Sequence, residues 1–318
     1  MQGGSGRGGA RKPHQGGGEF GRHFETSKDS FEVDAVKFWK YQGLGNDFIL
    51  LEDWDDSSPK DEKFVTRLCD RHFGIGADGI LYLQQSDKAD CRMQIMNSDG
   101  SEAEMCGNGI RCLAKHYFDY KEKKERITVE TLAGIMTLDL KIESGEANEV
   151  TVNMGPPRLK CKEIPMDCRD LPTDEKGRFI ESNILVDGRA IKGTAVSMGN
   201  PHFITFEPFK DEEIDKLGPR MERHGLFPRR TNVEFASFDD DGLKARVFER
   251  GVGWTLACGT GACATVVAAV LTGRLPYDIE NRIRLTGGEL WVRLPKDLSA
   301  AYMRGPAYRV FKGEIEDW

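Results

Sequence analysis

Cys106-Gly107-Asn108-Gly109 and Cys258-Gly259-Thr260-Gly261 are two copies of one short pattern, Cys-Gly-x-Gly, set far apart in the chain. Each opens a helix. After the first, Ile110, Leu113, Ala114, Tyr117 and Phe118 make one apolar stripe at helical spacing. After the second, residues 262–271 are apolar on every side and Gly273 closes the run, which predicts a helix buried in the middle of its domain. A second matched pair lies upstream, Gly45-Asn46-Asp47-Phe48 and Gly199-Asn200-Pro201-His202-Phe203. Asn46 precedes Cys106 by nearly the distance at which Asn200 precedes Cys258. Two motifs recurring in one order at one spacing point to duplicated domains.

Outward from the motifs, residues 36–41 read as a strand, 48–51 as a second and 91–96 as a third, which Asp99-Gly100 turns back. Residues 60–72 carry Phe64, Val65, Leu68 and Cys69 at helical spacing. The stretch 126–152 is strand-like and broken at Ala133-Gly134 and Ser144-Gly145, as in a meander, and Pro156-Pro157 ends the unit. Strands in series with isolated helices predict an α+β protein, with one domain over 33–152 and a second over 153–303. Residues 1–32, Gly-rich over the first 21, hold little to bury and are expected to be a disordered leader, either a tag or the remnant of a targeting segment.

The 318 residues carry 45 Lys and Arg against 52 Asp and Glu, a formal net charge of −7. That balance argues against nucleic acid as the main partner, because phosphate binding needs a basic surface. No apolar run approaches the ~20 residues of a membrane span, and the N-terminus lacks the pattern of a secretory signal. Eight cysteines in so long a chain are too sparse for a disulfide scaffold. They are expected to be reduced thiols in a cytosol-like compartment, either the cytoplasm or, in a photosynthetic eukaryote, the plastid stroma.

A cysteine just before a helix sits where free backbone N–H groups and the positive end of the helix dipole converge. That placement is expected to bring the thiol pKa down toward neutrality. The glycines admit close approach of a ligand, and the N–H groups make an anion site suited to a carboxylate. Any one such cysteine reads as a buried, inert residue at a tight turn. Two in the same setting on duplicated domains read as a pair. Cys69, Cys91, Cys112, Cys161, Cys168 and Cys263 lack the setting and are expected to be structural. Facing thiols can flank one carbon, one as thiolate removing a proton and the other as thiol returning one to the opposite face. The chemistry is that of a racemase or epimerase acting beside a carboxylate, with no cofactor.

Several further motifs occur in order: Gly43-Leu44-Gly45-Asn46-Asp47-Phe48, Phe73-Gly74-Ile75-Gly76-Ala77-Asp78-Gly79, Asn97-Ser98-Asp99-Gly100-Ser101, Met198-Gly199-Asn200-Pro201-His202 and Glu249-Arg250-Gly251. With the two cysteine motifs, they resemble the diaminopimelate epimerase family from Val36 to the C-terminus. The resemblance implies interconversion of LL- and meso-2,6-diaminopimelate in lysine biosynthesis, without pyridoxal phosphate or metal. It implies two pseudo-symmetric domains, each a curved, mostly antiparallel, barrel-like sheet around a central helix, with the active site in the cleft. It also implies a C-terminal strand, within about 304–318, that returns to the first domain, and a homodimer. By the same resemblance, Cys106 and Cys258 are the acid/base pair, and Gly107-Asn108 and Gly259-Thr260 clamp the reacting carboxylate. Asn46, Asn97, Asn200, Asn232 and Arg250 hold the ammonium groups and the distant carboxylate. His202 and Glu249 are polar partners of the thiols, and Glu249 also belongs to the substrate site. One departure is Gly79, which offers only backbone where some members carry an amide side chain.

Three other functions fit parts of the pattern. A proline or hydroxyproline racemase of the same fold shares the two thiols, but Arg250 and the asparagines suit a longer, doubly charged amino acid. A thiol redox protein is disfavoured because no Cys-x-x-Cys occurs and Cys112 and Cys263 fall within the helices. A metal-binding module is disfavoured because the six histidines and eight cysteines show no close ligand spacing.

Overall fold

The structure, a computed structural model, describes residues 36–316, and the expected leader lies outside the described residues. The chain makes two runs of elements in one order. The first comprises β1 (Val36–Gly43), β2 (Asn46–Glu52), α1 (Glu62–Cys69), β3 (Gly79–Gln84), β4 (Cys91–Asn97), β5 (Glu102–Ala103), α2 (Gly107–Tyr120), β6 (Arg126–Thr131), β7 (Gly134–Glu143) and β8 (Glu146–Asn153). A linking segment contains β9 (Ser182–Val186). The second run comprises β10 (Arg189–Ser197), β11 (Pro201–Thr205), α3 (Asp211–Glu222), β12 (Asn232–Asp239), β13 (Gly242–Glu249), β14 (Gly253–Thr255), α4 (Gly259–Leu271), β15 (Glu280–Leu285), β16 (Gly288–Arg293) and β17 (Tyr302–Pro306); β18 (Tyr308–Ile315) follows.

The pairing repeats with the order. β2 runs parallel to β3 as β11 does to β12, and β4 runs parallel to β6 as β13 does to β15. The hairpins β1–β2, β3–β4, β6–β7 and β7–β8 have antiparallel counterparts in β10–β11, β12–β13, β15–β16 and β16–β17. The duplication visible in two short motifs thus extends to the whole connectivity. Antiparallel pairing of β8 with β17, and of β18 with β1, joins the runs through hydrogen bonds. No described helix is long and apolar enough to cross a membrane.

Local chemistry explains most elements. Asp61 caps α1 by accepting from the Phe64 N–H at 3.1 Å, and Phe64, Val65, Leu68 and Cys69 form its buried face. In α4, residues 262–270 of the expected 262–271 are buried, Leu271 being half-buried, and the one hydroxyl among them, on Thr265, donates to the Gly261 carbonyl at 2.7 Å. Two elements differ from the sequence pattern. β3 was not marked by alternation because all six of its residues are buried, so both faces are covered and the period of two is lost. α2 shows one apolar stripe, yet the whole helix from Gly107 to Phe118 is buried. Strands surround it, and its polar residues are satisfied inside: Lys115 pairs with Asp119 at 2.8 Å and donates to the Ala147 carbonyl at 2.8 Å.

Sparse cysteine usage predicts eight reduced thiols, and the structure corrects this for two. Cys161 and Cys168 form a disulfide, and the other six cysteines are free. A turn at Cys161–Glu163, where the Cys161 carbonyl accepts from Ile164 at 3.1 Å and Met166 at 3.0 Å, folds the chain back on itself. Composition carries no sign of that local reversal. Titration of the unfolded, unreduced protein should find six thiols, rising to eight after reduction. Eight before reduction would exclude the bond.

Candidate active site

Cys106 and Cys258 are the N-cap residues of α2 and α4. Both have extended backbone, and each sulfur accepts from a backbone N–H of the first turn, Gly109 at 3.4 Å and Gly261 at 3.3 Å. The two helix ends meet. A Cβ on Gly107 would stand 3.8 Å from the Gly259 Cα and 3.0 Å from the Met303 Cε, and one on Gly259 would stand 3.2 Å from the Met303 Sδ. The two glycines therefore sit against each other beside Met303 of β17, where a larger side chain would push on the end of that methionine. A cavity of about 590 Å³ opens above them, lined by Cys106, Gly107, Asn108, Cys258, Gly259 and Thr260 together with Asn46, Asn200, Glu249 and Arg250. First-turn N–H groups of both helices and the positive ends of both dipoles therefore converge on one cavity, an arrangement able to bind an anion.

The thiols do not follow the expected pKa direction. Burial pushes Cys106 above the ordinary thiol range, outweighing backbone hydrogen bonds from Gly109 and Asn108 and the charge of Arg111. Cys258 too stands well above that range, by burial first and then by the negative charge of Glu249. The magnitudes explain the correction. A helix terminus is worth about 0.3–2 kcal/mol, whereas full burial shifts a titratable group by up to about 3–5 pKa units. Desolvation wins. Glu249, itself raised by burial, accepts from the Cys258 thiol and from Thr255 Oγ1 at 2.5 Å.

The other candidate residues fall into two groups. Asn46 Oδ1 accepts from the Cys106 thiol at 3.7 Å and from Asn108 Nδ2 at 3.2 Å. Asn108 Nδ2 also reaches the carbonyl of Ala257, the residue before Cys258, at 3.3 Å. Thr260 Oγ1 lies 3.4 Å from the Cys258 sulfur. Asn200 lines the cavity, and its Oδ1 lies 3.0 Å from His202 Nε2. His202, wholly buried, is not among the cavity-lining residues, and its Nδ1 lies 2.6 Å from Glu234 Oε1. Asn232 is buried behind Arg250, whose N–H donates to its Oδ1 at 2.7 Å, while its Nδ2 has no partner among the described residues. Asn97, at the end of β4, is exposed and donates to Ser101 Oγ at 3.0 Å, outside the cavity lining. Gly79 also lies outside the lining, and a Cβ there would stand 2.5 Å from the Met96 carbonyl oxygen.

Three residues near the site escape the sequence patterns. Arg158 and Arg229 line the cavity and add positive charge at its wall. Glu234 is a fully buried carboxylate between Val233 and Phe235 on β12. A lone acid inside an apolar strand was the one available signal for it.

A profile of the Diaminopimelate epimerase family matches residues 38–160 and 194–310. The interval between the two matches holds the Cys161–Cys168 loop. The diaminopimelate epimerase of Acetivibrio thermocellus is 44% identical over 284 residues, covering 88% of this chain and 99% of that protein. That of Methanococcus maripaludis is 45% identical over 284 residues, covering 88% of this chain and 100% of that protein. Among solved structures, a hydroxyproline epimerase from Agrobacterium vitis is similar with a TM-score of 0.64, over 88% of this chain and 91% of that one. Its 13% sequence identity makes this a likeness of fold alone.

Proposed function

Because the chain belongs to the diaminopimelate epimerase family, it is an isomerase that interconverts the stereoisomers of 2,6-diaminopimelate for lysine biosynthesis, and we propose that Cys106 and Cys258 carry the proton transfers. The observation that supports the mechanism most is the meeting of two thiol-capped helix N-termini at one cavity. In this mechanism the carboxylate beside the reacting carbon rests on the N–H groups of Gly107-Asn108 and Gly259-Thr260. Negative charge grows on that carboxylate as the proton leaves, so donors placed there stabilise the transition state more than the ground state. Glu249 takes the Cys258 proton and gives that sulfur a route to thiolate, while Cys106, donating to Asn46, holds the proton to be delivered. In the reverse direction the roles exchange.

The far end of the substrate carries a second ammonium and a second carboxylate. Arg250 and the unpartnered Nδ2 of Asn232 offer donors for the carboxylate, and Asn46 and Asn200 at the cavity wall offer amide groups to the ammonium groups, whereas Asn97, outside the lining, is not placed to join them. His202, locked between Glu234 and Asn200, orients the latter. We also assign one thiol to each of two domains, 33–152 and 153–303, with the last strand joining the first, and place the enzyme in the cytoplasm or plastid stroma. A homodimer completes this account. β18 exposes Tyr308, Val310 and Phe311, and an apolar edge of that kind suits a second copy.

Reaction of pure LL substrate in deuterated water tests the two-face mechanism. The thiolate removes the substrate's own proton, and the opposite thiol, already exchanged with solvent, delivers deuterium. Product should carry deuterium at the inverted carbon from the first turnovers while unreacted substrate stays largely unlabelled. Equal early labelling of both pools would count against thiols on opposite faces.

A further inference from the structure

The side-chain amide of Asn46 has its two ends in different surroundings. One end lies 2.7 Å from Asp78 Oδ2; the other lies 3.2 Å from Asn108 Nδ2 and 3.7 Å from the Cys106 sulfur. A carboxylate only accepts, so the end at Asp78 is the NH₂ and the end at Cys106 is the carbonyl. The same polarity follows independently from the opposite side. Arg111 Nη2, which only donates, lies 2.9 Å from one end of the Asn108 amide, making that end the carbonyl and the end facing Asn46 the NH₂. A guanidinium and a carboxylate thus terminate one hydrogen-bond chain whose direction is forced along its length: Arg111 to Asn108 to Asn46 to Asp78.

Asp78 is itself held firmly for a residue at the edge of the site. Its Oδ1 pairs with Arg71 Nη2 at 2.9 Å, its Oδ2 accepts from the Asp47 N–H at 3.1 Å, and its own N–H donates to the Asp47 carbonyl at 2.9 Å. Arg71 also pairs with Asp47 at 2.7 Å, and Asp47 with the buried Lys40 at 2.6 Å. The acceptor that Asn46 meets cannot swing away without breaking this cluster.

We propose that Asp78 is a positioning residue for epimerisation: by accepting from Asn46 Nδ2 it keeps the Asn46 carbonyl turned to Cys106, where it receives the S–H and holds the proton on that sulfur. The inference rests on the two-thiol mechanism and deepens it, because it supplies a reason for the two chemically similar thiols to differ in how they part with a proton. Cys258 has beside it a titratable carboxylate, Glu249, which holds the thiol pKa up while ionised but can take the proton outright; Cys106 has a neutral carbonyl that only holds it. Were the Asn46 amide reversed, its NH₂ would face the Cys106 sulfur and favour thiolate instead. The charged and titratable groups that act on Cys106 are Arg111 and Cys112 of its own helix and Glu249 from the end of β13, and Glu104, Arg158, Glu163, Arg229, Arg250 and Cys258 line the same cavity. None of these is altered by the test.

The test reads the sulfur without substrate. The full-length protein is alkylated with iodoacetamide over a range of pH, and modification of Cys106 and Cys258 is followed separately by peptide mass. Asp78→Asn can offer either amide end to Asn46, so that Asn108 Nδ2 alone still opposes its reversal. Cys106 should then alkylate about three- to tenfold faster at a fixed, mildly alkaline pH, a shift of about one pH unit in its profile, with Cys258 unchanged. Loss of the Asp78 charge alone would also favour thiolate, so the decisive comparison is made in an Asn46→Ala background. There Asp78→Asn should add only the smaller charge effect. The same acceleration with and without Asn46, or no acceleration in either, would overturn the proposal. Asp78→Glu, which keeps an acceptor-only group, should restore the slow profile. If Asp78→Asn fails to fold, Asp78→Ser gives the same comparison. Because no turnover is measured, this outcome is independent of the deuterium experiment, and either can fail alone.

Discussion

Replacing Cys106 with alanine should lower conversion of LL- to meso-diaminopimelate by about 10²–10⁴-fold, and so should replacing Cys258, because each removes one positioned proton-transfer group. The fold should survive both changes. Each sulfur contributes to its helix little more than a long hydrogen bond from a first-turn glycine N–H, at 3.4 and 3.3 Å, joined at Cys106 by the Asn108 N–H, and alanine leaves the backbone of the cap intact. The carboxylate clamp is made by backbone and persists as well. Loss should therefore fall on kcat far more than on KM. Cys112→Ala and Cys263→Ala are the controls. Both residues are fully buried in the same two helices, so their loss tests packing without touching the chemistry, at a cost in stability but not in rate. Full activity in either Cys106→Ala or Cys258→Ala, measured by following the meso product, would sink the two-thiol mechanism.

Arg111→Ala should destabilise the protein by about 3–5 kcal/mol, through the cavity left by a large buried side chain and the acceptors left unpaired. Arg111 is completely buried in α2 and forms no ion pair among the described residues. Its charge is instead spread over oxygen acceptors: Gly107 O at 2.9 Å, Asn108 Oδ1 at 2.9 Å and Pro306 O at 3.2 Å. Burial lowers its pKa, as expected for a cation held only by dipoles. Removing it strands those oxygens and opens a cavity walled by Gly43 and Gly305, whose missing side chains make room for the guanidinium. Urea unfolding should show the midpoint fall sharply with little change in slope. Arg111→Lys, which keeps the charge but not the planar fork, should recover part of the loss. A midpoint within error of the parent protein would mean that the network is dispensable.

What was legible in the sequence was local. A cysteine followed by Gly-x-Gly opens a helix because cap geometry depends on a few adjacent residues, and residues 262–271 announce a buried helix because every face is apolar. The duplication was legible for the same reason, each copy repeating its own short-range signals. The family resemblance pointed further, to Asn46, Asn200, Glu249 and Arg250, which the structure places at one cavity wall and which as isolated residues are ordinary turn or surface types, and to Asn97 and Asn232, which it places outside that wall.

Only the tertiary structure decided what depends on distant segments. β3 carries no period because strands and helices elsewhere in the chain cover both its faces. The polar residues of α2 are interior because strands close around the helix. Glu234 gains its place beside His202 through the parallel register that sets His202 against Asn232. The contact of Gly107 with Gly259 joins residues from opposite repeats. The direction of the thiol shifts belongs to this group too. The helix termini that lower a thiol pKa are written in the sequence, but desolvation is set by everything packed around the sulfur, and here it is the larger effect.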